Sequence, residues 1–265
     1  MSGGFDSMWL ALREPVDHAS VNAELRRLLV GWIGDRPSLR VIDIGAGRGS
    51  NVRGLAPSIA CRQHWTLIDI DDALLNEAAH TILPSETLSL TIRNLDLATA
   101  DLGAVLAACD LVTSAAFFDL VSKELVDRVV AAVVQTGAAF YTILTYDGLA
   151  AWIPEHPADS EMRRLFNEHQ RRDKGLGPAL GPAASVALVA AFRARGYRVF
   201  AGPSPWIVDD AHPDMGRMLN DGWARAVAET GEMDGALLDA WRDLRSREGT
   251  TTIVGHRDVL ALPPE

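Results

Sequence analysis

The chemistry most specifically written into this chain lies between Leu39 and Asn51, LRVIDIGAGRGSN. Val41, Ile42 and Ile44 form an apolar, β-branched run that reads as a buried parallel strand, and it breaks at once into Gly45-Ala46-Gly47-Arg48-Gly49 before a helical stretch. Glycine suits such a turn because the chain reverses through dihedrals that a Cβ disfavours and because the backbone must approach a ligand closely. The free amides at the start of the following helix then favour an anionic group on that ligand. A second acid stands where it could complete such a site. Trp65 to Ile68 reads as the next strand and closes on Asp69, about twenty residues past the turn, the place from which a carboxylate accepts both ribose hydroxyls of an adenosine. Ile70 is then placed against the adenine face, while Asp71 and Asp72 cap the helix from Ala73 to His80.

A dinucleotide turn, G-x-G-x-x-G, needs its third glycine at position 50, where Ser50 stands. The spacing present is G-x-G-x-G, with Asp43 two residues before its first glycine. In Asp43, Gly45, Gly47 and Gly49 the chain resembles the class I S-adenosylmethionine-dependent methyltransferases. That resemblance implies an α/β, Rossmann-like fold: a seven-stranded mixed sheet flanked by helices, its last strand antiparallel between the fifth and sixth. It also implies S-adenosyl-L-methionine as cofactor, S-adenosyl-L-homocysteine as product, and a cofactor site drawn from Asp43, Gly45, Ala46, Gly47, Arg48, Gly49, Asn51, Asp69 and Ile70. After a third strand, Leu88 to Arg93, the family pattern gives Asp96 the adenine amino group and Leu97 the flanking amide. Small residues at the end of a fourth strand, Asp110 to Ser114, leave room for the methionine part at Ser114. Helices ahead of the first strand often cover the cofactor and part of the acceptor pocket in this family, which brings Arg13, Asp17 and His18 into consideration.

Several branches of the family are not matched. No Asn/Asp-Pro-Pro-aromatic sequence and no Pro-Cys nucleophile follows the fourth strand, and no paired-glutamate loop is present. Asp119 and Asp147 sit at strand ends without forming a convincing carboxylate triad, so no metal is expected.

The remaining elements must position these residues. Val21, Leu25, Leu28, Leu29 and Ile33 recur at helical spacing, and residues 1–38 are expected to form a helical cap on a methyltransferase domain spanning 39–265. A helix from Lys123 to Thr136 leads to a fifth strand, Ala139 to Thr145, that closes on Tyr146 and Asp147. Residues 149–182 exceed what a βα repeat needs and are expected to be a lid. Its helix carries Met162, Leu165, Phe166 and His169 on one face, with Arg163, Arg164, Arg171, Arg172 and Lys174 elsewhere. Five basic residues in an otherwise acidic chain could select an anionic acceptor, but such a charge run is more often a solvated face, and that is the reading taken. Extra helices at about 213–248 carry Trp223 and Trp241, suited to core or subunit contact, which leaves a homodimer open. Short strands at 251–254 and 258–262 close the chain. A hydroxyl or ammonium acceptor must lose a proton, and the candidates to receive it are His156, His169, Tyr146 and Asp147.

Composition narrows the partners. The chain of 265 residues is 48% hydrophobic and 23% charged, as ordinary globular proteins are. Its net charge of −10 argues against tracking a phosphate backbone, so a small-molecule acceptor is expected rather than a nucleic acid. No apolar run reaches the roughly 18 residues of a membrane span, and MSGGFDSMWL lacks the regions of a secretory signal. Cys61 and Cys109 have no metal or disulfide spacing, and a reducing cytoplasm is the expected setting. Two other readings share these motifs: a scaffold that retains the cofactor site without catalysis, and a nicotinamide-dependent oxidoreductase, which Ser50 and the closing strands disfavour.

Overall fold

In a computed structural model, which describes residues 6–173 and 175–264, a single sheet runs through the molecule. Lys174, one of the five basic residues noted above, lies outside the described residues. Strands β1 (Ser38–Ile44), β2 (Arg62–Asp69), β3 (Leu88–Asn94), β4 (Leu111–Ala115), β5 (Ala139–Ile153), β6 (Arg198–Pro203) and β8 (Thr251–Leu262) lie in the order β3-β2-β1-β4-β5-β8-β6. The first five are mutually parallel, and β8 is antiparallel to both β5 and β6. An eighth strand, β7 (Trp206–Val208), pairs with the start of β8. It is too short, between Pro205 and the polar residues after Val208, to show a period in the sequence.

Alternate residues of the parallel strands feed two cores, as a sheet covered on both faces requires. Val41 and Leu67 join α2 (Ala23–Ile33), α3 (Ser50–Leu55) and α4 (Asp72–Thr81) on one face. Ile42, Ile68 and Val112 join α5 (Leu102–Leu106), α6 (Lys123–Thr136) and α8 (Ala184–Arg193) on the other. Chain order reverses at β1, whose neighbours are β2 and β4, and in open α/β sheets ligands collect at the carboxyl ends of the strands beside such a reversal.

The fifth strand does not stop at Thr145. Register shifts between Thr142 and Thr145 and between Tyr146 and Ala150 let it bend and continue to Ile153 beside β8, itself unbroken from Thr251 to Leu262. Residues 149–153 of the expected lid are therefore strand, with Ala150 and Trp152 turned inward and Leu149 and Ile153 outward. Helices α7 (Asp159–Gln170), α9 (Pro213–Ala228) and α10 (Gly235–Arg245) pack on this projection around an aromatic core. Phe166 stacks on Trp223 at 3.7 Å, and Trp152 meets Trp223 and Trp241 edge-on at 5.0 and 5.4 Å. Both Trp223 and Trp241 are thus core residues. Arg245 is buried there because Asp159 receives its guanidinium at 2.6 Å while also accepting from the Trp241 indole, so neither charge is left uncompensated. Among the described residues no helix is long and apolar enough to cross a membrane.

Candidate functional site

The turn after β1 is built as its glycines require. Gly45, Gly47 and Gly49 have φ of +63°, +51° and +77°, and a Cβ on Gly45 would stand 2.5 Å from the Phe117 ring. Ala46 donates to the Ile68 carbonyl at 3.0 Å, fastening the turn to β2. Asp69, at the end of β2, accepts from the Gly47 amide at 2.7 Å and from the Asp71 amide at 3.0 Å. Turn and carboxylate therefore occupy one place at the edge of the sheet. Ile70 projects beside them, 65% exposed, as a residue that lies against a ligand face would.

Beneath the turn, Asp43 is fully enclosed. Its Oδ1 accepts from Asn51 Nδ2 at 2.9 Å and from Thr113 Oγ1 at 2.7 Å, so Asn51 supports the acid rather than facing outward. Ser114 donates to the Ile44 carbonyl at 2.9 Å and ties β4 to the turn. Burial pushes the Asp43 carboxyl up to about 6, with the nearby Asp69 charge adding to the push and the Asn51 and Thr113 bonds opposing it. Because the folded-state value lies above that of the unfolded chain, the stability linked to this proton is full below about pH 4 and is lost as pH rises through about 6. Asp43→Asn keeps an oxygen for both bonds but cannot ionise. Its stability relative to wild type should rise by up to about 3 kcal/mol between about pH 4 and pH 7 in denaturant titrations. Parallel pH profiles for the two proteins would contradict this.

After β3, Asp96 reaches the same edge, but its carboxylate accepts from the Ala98 amide at 2.8 Å and thereby shapes its own turn, and Leu97 is buried in the core beside α6. The residue after β4 and the first bend of β5 carry backbone that side chains rarely adopt, with φ of +49° at Ala116 and +57° at Leu144. Asp258 accepts from the Leu144 amide at 2.9 Å and holds that bend in place. Strain of this kind concentrates where a fold meets its ligand.

The helix α1 (Ser7–Ser20) crosses the turn. One of its faces follows the turn and α3: the Ser7 carbonyl accepts from Arg48, Leu10 reaches to 3.8 Å from where a Gly47 Cβ would sit, Glu14 pairs with Arg53, and His18 Nε2 lies 3.0 Å from the Ser50 carbonyl. Arg48 also pairs with Glu77 at 2.6 Å, so its charge is used to secure the turn. The adjoining flank of α1 carries Arg13, paired with Asp17 at 2.8 Å and packed over Trp206 of β7. Arg13 thus braces α1 against the projecting strands. Burial is the main reason that the Asp17 carboxyl is raised, against the pull of Arg13.

The four candidates for proton transfer do not come together. Tyr146 and Asp147 stand at the bend of β5: the Tyr146 hydroxyl donates to Asn167 at 2.8 Å, and burial raises its value well above the usual phenol. Asp147 accepts from the Leu149 amide. His156 lies past the far end of β5, where its backbone amide donates to Asp159 and its Nδ1 accepts from the Ala158 amide, the work of a helix start. His169 is at the last turn of α7 and contacts Glu229 at 2.8 Å. Within the basic run, Arg164 on α7 pairs with Glu161, Glu168 and Glu232, Arg172 just past the helix faces Glu229, and Arg163 donates to the Ala150 carbonyl.

Neither Phe117, whose ring covers Gly45, nor His256 on β8 was singled out from the sequence. His256 is buried with its Nδ1 unpartnered, and the inward alternation of Val254, His256 and Asp258 was its only sequence signal.

No protein-family model matches the chain, and no curated protein matches it in sequence. Solved structures do match in shape. A cyclopropane-fatty-acyl-phospholipid synthase-like protein from Lactobacillus casei superposes with a TM-score of 0.55 at 15% identity, over 94% of this chain and 99% of its own. The YcgJ protein from Bacillus subtilis gives 0.54 at 13% identity, over 92% and 100%. The fold is that of the class I methyltransferases. A mycolic acid cyclopropane synthase complexed with S-adenosylhomocysteine shares this methyltransferase architecture at a TM-score of 0.50 and 12% identity, over 90% of this chain and 83% of its own. In this chain β8 takes the place expected of the antiparallel last strand, between β5 and β6.

Proposed function

We propose that the protein transfers the methyl group of S-adenosylmethionine to a small-molecule acceptor. The observation that carries this reading is the 2.7 Å bond between the Gly47 amide and the Asp69 carboxylate, which joins the two signature elements at the sheet's reversal point. The residues present fit the cofactor. An ionised carboxylate has about four lone-pair positions, and the Gly47 and Asp71 amides use two, which leaves two for a pair of ribose hydroxyls. Above Gly47 a Cβ would meet only Leu10 among the described residues, so the backbone is open to close approach. When bound, the sulfonium supplies an already activated methyl group, whose transfer to an acceptor lone pair leaves a neutral thioether.

The protein's task is then alignment and the exclusion of water. Helix α1 closes one side of the turn through Leu10, Glu14 and His18, and Phe117 closes another over Gly45. Residues 1–38 as a helical cap, of which 1–5 lie outside the described residues, and 149–182 as a lid insertion in a methyltransferase domain at 39–265, are the corresponding domain assignments. The net charge of −10 supports a small acceptor over a nucleic acid. Calorimetry tests the cofactor directly. S-adenosylhomocysteine should bind with a 1:1 stoichiometry and NAD should give no heat. The reverse pattern would establish a nicotinamide enzyme, and silence with both would leave only the fold.

A further inference from the structure

The parallel part of the sheet ends in the glycine turn and Asp69, but one buried group beyond it has no use in that site. His256 stands opposite Tyr146 where β8 runs beside the projecting half of β5. It is 5% exposed, and its Nδ1 is buried with no hydrogen-bond partner among the described residues. Its ring centre lies 4.6 Å from that of Trp206 and 6.2 Å from that of Tyr146, and Trp9 of α1 meets Trp206 edge-on at 6.1 Å. A buried ring nitrogen without a partner costs stability, and a fold that keeps one beside its ligand-binding edge presents a hydrogen-bonding group to whatever binds there.

We propose that the wall where α1 meets the projecting ends of β5 and β8 is the acceptor's seat, that it takes an uncharged, flat molecule bearing a hydroxyl, and that His256 hydrogen-bonds this hydroxyl. The assignment rests on the methyltransferase reading above. Its location follows from strand order: from the turn at β1 the sheet continues through β4 to β5 and then β8, so a ligand reaching across from the turn meets Tyr146 and His256 next. Its shape preference follows from the rings of Trp9, Trp206 and Tyr146, the flat apolar groups packed around the histidine.

Its charge preference follows from what faces the histidine. Arg13 is paired with Asp17 at 2.8 Å, so an acceptor carboxylate finds its cation already engaged and an acceptor ammonium approaches a guanidinium. Tyr146 keeps its proton, because burial raises its value. Burial, reinforced by the Arg13 charge and opposed by the Val254 carbonyl, lowers His256 to about 3. The imidazole is therefore neutral at physiological pH, and a neutral ring always has one nitrogen with a lone pair to accept from a hydroxyl.

Three fragments that differ in charge separate the outcomes: phenol, benzoate and benzylammonium, each titrated into the full chain saturated with S-adenosylhomocysteine. The readouts are calorimetry and the 15N resonances of the His256 ring. Phenol should bind most tightly of the three and should shift the His256 Nδ1 resonance saturably. His256→Phe should weaken phenol by about tenfold, the worth of one hydrogen bond, while His256→Asn recovers part of the loss. Tighter binding of benzoate or benzylammonium, phenol binding that leaves the His256 resonance unmoved, or no phenol binding at all would each overturn the proposal. Should His256→Phe fail to fold, the wild-type resonances and His256→Asn decide the matter. Failure of the wild type to bind S-adenosylhomocysteine would overturn the cofactor reading and this proposal together, whereas failure of phenol alone leaves the cofactor reading intact.

Discussion

Asp69→Ala should weaken S-adenosylhomocysteine by about 100-fold or more. A hydrogen bond to a charged group contributes about 1.5–3 kcal/mol, and two ribose hydroxyls on one carboxylate therefore contribute about 3–6 kcal/mol, or about 100- to 10,000-fold in affinity. The same carboxylate holds the Gly47 and Asp71 amides, so alanine also releases the turn that the ligand must find already formed. That second effect acts on stability as well, and it is limited because Ala46 remains fastened to the Ile68 carbonyl and Gly49 to the Ala46 carbonyl. Asp69→Asn separates the two contributions. Its amide has a single oxygen, so it can satisfy the Asp71 amide or the Gly47 amide but presents an N–H toward the other and has no charge for the hydroxyls. Affinity should therefore fall nearly as far as in the alanine variant while the melting temperature is better preserved. Calorimetry and thermal melts on the three proteins measure both quantities. A loss smaller than about fivefold in Asp69→Ala would mean that the ligand is held elsewhere.

How much of this was legible in the chain depends on whether a local rule decided the matter. The turn was legible because three glycines with positive φ, an acid inside a β-branched strand and a second acid one strand later are each required by short-range geometry. Helix α6 was equally plain, with Ser122 as its cap, a clean apolar face, and Gly137 in the left-handed conformation just past its end. The projection of β5 and β8 was not. Asp147-Gly148 has the look of a turn, yet the register shifts absorb it and the strand continues. In the sequence, Gly255 falls in the gap between the strands expected at 251–254 and 258–262. It is there because a Cβ would lie 2.3 Å from the Asp147 carboxylate across the pair, a contact that no single segment reveals. Without that projection His256 has no neighbours along the chain, and the histidines that stand out in the sequence, His156 and His169, are ones the fold uses at helix ends.

The third glycine of the turn should show what a packing role looks like when separated from a binding role. Gly49→Ala places a methyl group at φ +77°, 2.4 Å from Ile82 Cδ1, 3.2 Å from Leu67 Cδ1 and 3.3 Å from Ala78 Cβ, all of them buried between β2 and α4. The left-handed backbone costs about 1–2 kcal/mol and overpacking a closed core about 1–3 kcal/mol more, so the expected destabilisation is about 2–5 kcal/mol, a large share of a typical domain's stability. Gly47→Ala has a comparable dihedral at φ +51° but open space, with only Leu10 at 3.8 Å among the described residues, and should cost about 1–2 kcal/mol. Its larger effect should be on S-adenosylhomocysteine affinity, because its amide is the one that meets Asp69. Ile82→Val removes the Cδ1 that the Gly49 methyl would strike. On its own it should cost about 0.5–1.5 kcal/mol, and in the Gly49→Ala background it should cost less than that or become stabilising. Urea titrations of the four proteins in this cycle measure the coupling. Strict additivity would mean that the third glycine is required for its dihedral alone and that the close approach of α4 to the turn plays no part.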